Sequence, residues 1–149
     1  MRKSSSKTLT VRLWLGLLTL VLASCSQTDM GPEPTQLPGL EQGKAGVYGR
    51  IISERSGQPI SGILVRLAKV VRQGEDAAFV LEDAFSPGDQ TDEGGYFIIV
   101  DVDPIEYVLV VGDVNNQYEI IAENSGMAKI WTTAADQILE VGEIRVDLP

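Results

Sequence analysis

Thr91-Asp92-Glu93-Gly94-Gly95-Tyr96-Phe97-Ile98-Ile99-Val100-Asp101-Val102-Asp103-Pro104-Ile105-Glu106-Tyr107-Val108-Leu109-Val110-Val111 decides the fold class. Asp92-Glu93-Gly94-Gly95 reads as a turn, because glycine reaches positive φ without steric cost and Asp bonds to nearby backbone. Tyr96 to Val100 is a short run of β-branched and aromatic residues, which Asp101-Val102-Asp103-Pro104 ends before a second run begins at Tyr107. Outward from this stretch the chain repeats the same scheme, with no 3.6-residue periodicity long enough for a helix. Strands are expected near 46–53, 62–71, 78–83, 96–101, 107–111, 118–122, 129–132 and 143–147. About seven to eight short strands in one unit of this size predict an all-β sandwich. Arg55-Ser56-Gly57-Gln58-Pro59 is expected to reverse the first strand into the second. Alternation places Val47, Ile51, Ile63, Val65, Leu67, Phe97, Ile99, Tyr107, Leu109, Val111, Ile144 and Val146 on the core side.

Two segments of different character precede this domain. Arg2, Lys3, Lys7 and Arg12, with no acid among them, lead into the apolar run Leu13 to Ala23, which is the build of a signal peptide. A spanning helix needs about 20 apolar residues, so this run is too short to remain as an anchor. Ser26 to Ala45 holds Pro32, Pro34, Pro38, Gly31, Gly39 and Gly43 without apolar periodicity and reads as a flexible tether. The expected division is 1–24 signal peptide, 25–45 Cys and linker, and 46–149 sandwich.

Without its first 24 residues the chain keeps eight of its 12 cations against all 21 acids, a net charge of −13. That charge opposes nucleic acid or an anionic membrane surface as a partner. The chain has no histidine, which removes Ser-His-Asp and Cys-His catalysis and imidazole-based zinc or iron sites. Its single cysteine, Cys25, cannot form an internal disulfide.

Leu22-Ala23-Ser24-Cys25 resembles a bacterial lipobox, with small residues at the two places before Cys and an apolar run just upstream. The resemblance implies a diacylated Cys25 and cleavage before it. Its acyl chains contribute about 0.8 kcal/mol per buried CH₂, enough together for stable anchoring. The expected location is the cell membrane or outer membrane, facing the periplasm or exterior. Ser26 resembles an outer-membrane sorting residue.

Four blocks then carry a second resemblance: Gly46-Val47-Tyr48-Gly49, Ser56-Gly57-Gln58-Pro59-Ile60-Ser61-Gly62-Ile63-Leu64-Val65-Arg66-Leu67, Thr91 to Ile99, and Val102-Asp103-Pro104-Ile105-Glu106-Tyr107-Val108-Leu109. In order and spacing they resemble the carboxypeptidase regulatory-like domain. This implies a transthyretin-like, Ig-like β-sandwich that is usually a non-catalytic module. Ile105 departs from the family's usual Gly and suggests a differently shaped turn. Residues 72–90 exceed the usual connection, leaving room for an extra hairpin.

Asp89, Asp92, Glu93, Asp101 and Asp103 supply the oxygen chemistry that calcium takes but not EF-hand spacing, and turns use the same residues. No metal or other cofactor is expected. Ser61, Ser86 and Ser125 lie outside any G-x-S-x-G elbow, so no catalytic residue is nominated and the chain is not read as an enzyme. Trp131 either fills the core or stacks on a sugar. Strands 96–100 and 108–111 are apolar on both faces. Either Ala77-Ala78-Phe79-Val80-Leu81 covers the second face or adds an edge strand, or Tyr96, Ile98, Val108 and Val110 form a partner patch. The expected function is a membrane-anchored envelope lipoprotein whose non-catalytic sandwich binds a protein partner or plays a structural role. The alternative is a carbohydrate-binding module using exposed aromatics.

Overall fold

The computed structural model describes residues 37–148 except 75, 83 and 84. Cys25, the signal segment and most of the expected tether lie outside the described residues. Nine strands and, among the described residues, no helix make up the domain: β1 (Ala45–Ser53), β2 (Leu64–Gln73), β3 (Asp76–Val80), β4 (Gly88–Gln90), β5 (Tyr96–Val102), β6 (Glu106–Gly112), β7 (Tyr118–Ile120), β8 (Ile130–Thr132) and β9 (Ile138–Val146). A three-stranded sheet runs β5-β1-β9. A six-stranded sheet runs β3-β2-β6-β7, with β4 also pairing β2 and β8 pairing β6. All pairings are antiparallel except β1 with β9, which run parallel.

The core lies between the sheets, where period-2 alternation aims every second side chain. Of the twelve residues expected there, eleven are buried in one cluster, and Ile63 packs against it half-buried. Phe97 and Leu67 are each 1% exposed, and burying such a side chain contributes about 1.5–3 kcal/mol. The sequence expectation of seven to eight strands missed β4, whose three residues carry no apolar pattern. It also began the last strand at Glu143, because Gly142 there looks like a break. Gly142 in fact adopts φ 77 in a bulge where Tyr48 pairs Glu140 and Gly49 pairs Gly142, and the strand continues through it.

Two further expectations need correction. The turn at 55–59 does not pair the first two strands, because β1 and β2 belong to opposite sheets. It is a corner across the sandwich, and a positive-φ glycine with a proline serves a corner as well as a hairpin. The expected tether also ends too late. Glu41 N donates to Asp101 Oδ1 at 2.7 Å, Gly43 N to Asp136 Oδ1 at 2.7 Å, and Ala45 is fully buried in β1. Residues 41–45 therefore belong to the domain.

Tyr107 locks the crossing from β5 to β6. Its hydroxyl donates to the Asp103 carbonyl at 3.0 Å, and burial, aided by the Asp103 charge, pushes its pKa up to about 12. A folded value above the unfolded one, about 10, means that this contribution is complete below that pH. It is lost as pH rises toward 12. Ultraviolet titration should show a late tyrosinate step that Tyr107→Phe removes; an unchanged curve in that variant would refute the assignment.

Candidate functional site

The residues proposed from sequence as a ligand or partner face do not come together. β5 and β6 enter different sheets, so residues that looked like one apolar second face point in opposite directions. Val108 and Val110, each 1% exposed, lie with Ala68 on the outer side of the six-stranded sheet. There Val70, Ile120 and Ile130 flank them on the same sheet face, and Leu81, Val114 and Ala128 pack against them. Most of that cover comes from 114–130, and Leu81 adds to it. Residues 76–80 form edge strand β3 rather than folding over the face.

Tyr96 and Ile98 lie half-buried on the three-stranded sheet. There Tyr48 stacks on Tyr96 with ring centroids 5.9 Å apart and planes 5° from parallel. The Arg50 guanidinium lies 5.0 Å from the Tyr96 centroid, while its Nε donates to the Gly94 carbonyl at 2.8 Å. This stack supplies the cover that an apolar outer face requires. Trp131 belongs to the main core at 9% exposure, paired in register with Tyr107 and with Lys129 Nζ 4.8 Å from its ring centroid.

The candidate calcium carboxylates are likewise dispersed. Asp89 accepts from Gln90 N at 2.8 Å and Ile98 N at 2.9 Å, tying β4 to β5. Asp92 Oδ1 accepts from Gly94 N at 2.8 Å and Tyr96 N at 2.9 Å, closing the turn before β5. Asp101 caps Glu41 N, and Glu93 is exposed. Asp103 pairs Lys44 at 2.9 Å and Lys69 at 3.6 Å. The hydrogen bond and charge of Lys44 hold its carboxyl below the usual range. Among the described residues no group of three or more Cys, Asp or Glu could hold a metal ion.

On the outer side of the six-stranded sheet an open groove of about 390 Å³ runs between β3 and the segment before β8. Val70, Ala77, Phe79, Met127, Ala128 and Ile130 line it, and Glu123 stands at it. Phe79 and Met127 are 39% and 66% exposed. The β2–β3 hairpin also carries exposed Val71 and Val80 on its other side, where they line a second depression with Phe85. The sequence reading places Phe79 in a segment that covers the face or adds an edge strand, and it misses Val70 and Met127. The available signal was the adjacent apolar pairs Val70-Val71 and Phe79-Val80, which place one hydrophobe on each face of a hairpin.

No protein-family model matches the chain, and no curated protein matches it. Among solved structures it is similar to a 9R-lipoxygenase from Cyanothece, with 16% identity and TM-score 0.42 over 70% of this chain. The chain spans 17% of that enzyme's length. It is similar to a candidate carbohydrate-binding protein from Pseudomonas aeruginosa, with 13% identity, TM-score 0.44, and coverage of 72% of this chain and 92% of that one. It is also similar to the dioxygenase domain of a dioxygenase and carbohydrate-binding fusion from a Streptomyces species. That match has 12% identity and TM-score 0.42, covering 77% of this chain and 84% of that one. At these identities and TM-scores the likenesses carry nothing about function.

Proposed function

We propose that this chain is a lipid-anchored protein of the bacterial envelope, presenting a carboxypeptidase regulatory-like sandwich that engages a protein partner without catalysis. The open groove beside β3 carries the reading, because large apolar side chains stand exposed there on an otherwise acidic domain. Asp89, Asp92, Asp101 and Asp103, by contrast, are committed to backbone bonds and ion pairs. Sugar stacking on Trp131 or Tyr96 is less favoured, because Trp131 is in the core and Tyr96 lies half-buried against Tyr48 and Arg50. The tether of this proposal is residues 25–40, shortened from the sequence expectation.

Two measurements test the reading. Cys25→Ser should move the protein out of the membrane fraction, and retention after a carbonate wash would refute the anchor. A photo-crosslinking residue at Phe79 should capture an envelope protein in living cells while one at exposed Tyr118 does not. No adduct at Phe79 would refute the partner surface.

A further inference from the structure

Strand β3 ends the six-stranded sheet, and all five of its residues are exposed. In an antiparallel ladder every second residue turns its N–H and C=O away from its neighbour, so β3 offers unpaired main-chain groups to solvent. Edges are ordinarily blunted by lysine, proline or a bulge. Asp76-Ala77-Ala78-Phe79-Val80 has no lysine or proline, and its register with β2 runs without a shift from Gln73↔Asp76 to Lys69↔Val80. Beside it lie apolar seats on both faces: the groove of Phe79 and Met127, and the depression of Val71, Val80 and Phe85. Free main-chain groups with pockets for alternate side chains are the requirements for strand addition.

Charge selects the occupant. Asp76 begins β3, Glu82 follows its end, and Glu123 stands at the groove; all three are exposed. The neighbouring cations are already engaged, Lys69 by Asp103 at 3.6 Å and Arg72 by both oxygens of Glu106 at 2.7 and 3.0 Å. A second copy laid antiparallel and centred on Phe79 would set Asp76 of each chain opposite Glu82 of the other, and like charges placed opposite each other oppose pairing. We infer that β3 receives an extended segment of a different protein, apolar at alternate positions and flanked by lysine or arginine. This rests on the protein-binding reading above and specifies the ligand of that surface.

The test uses the full chain in detergent and a fluorescent peptide of alternating valine and threonine with lysines at both ends. Saturable binding is expected, weakened tenfold or more when glutamates replace the lysines or when alternate peptide nitrogens are methylated. Phe79→Lys, at an exposed position, should weaken it similarly. Absence of binding, or equal binding of the methylated peptide, overturns strand addition. Equal binding of the glutamate peptide overturns the charge assignment. A dimer in sedimentation that Phe79→Lys dissolves would make a second copy the occupant and overturn the inference. If Phe79 crosslinks a protein in cells while the peptide fails, partner binding stands and strand addition falls.

Discussion

Trp131→Ala is expected to lower the unfolding free energy by about 3–5 kcal/mol, the range for emptying a large aromatic site. The indole lies in the main cluster beside Tyr107, and β8 is only three residues long, so little backbone pairing is available to hold it once the ring is gone. Lys129, itself exposed, adds about 0.5–1 kcal/mol over the ring, so the cavity dominates. Urea denaturation measures the change. The parent protein should also show blue-shifted emission from Trp131, weakly quenched by iodide and unchanged by oligosaccharides. A loss under about 1 kcal/mol, with solvent-like emission, would take Trp131 out of the core and restore the sugar-stacking alternative.

Gly95→Ala should be comparably damaging, for a backbone reason. Gly95 has φ +80, and a Cβ there would stand 2.5 Å from the Ile51 carbonyl oxygen and 2.9 Å from Pro59 Cβ. The carbonyl of Gly95 also accepts from Ile51 N at 2.8 Å, joining this turn to β1. The left-handed conformation costs an L-residue about 1–2 kcal/mol, and breaking the bond to β1 adds about 1–3 kcal/mol if either group stays buried. Gly57, at φ +69 with nothing within 4 Å of its Cβ position, is the control: Gly57→Ala incurs the conformational cost alone. Equal destabilisation of the two variants in urea would refute the collision.

Inside-outside alternation was legible because it is local: Val65 and Leu67, or Leu109 and Val111, announce a buried face wherever their strand pairs. Sheet membership was not legible, because Gly57 and Pro59 break a strand equally well for a hairpin or a corner. The groove was half visible. Phe79 sits in a recognisable hairpin, but Met127 joins its groove from a loop 48 positions later in sequence. The carboxylates were ambiguous for a similar reason, since Asp92 bonding its own turn and Asp89 bonding Ile98 look alike until the partners are placed.

The parallel pairing of β1 with β9 also has a mechanical consequence. A load entering through the residues before Lys44 pulls β1 along its own length, while β5 grips one edge from Ala45 to Arg50 and β9 the other from Gly46 to Ser53. Many rungs then resist together in shear, whereas a strand peeled from its end yields one rung at a time. β3 lies in the other sheet, so tension between the chain's entry point and anything held at β3 passes from one sheet to the other through the packed interior.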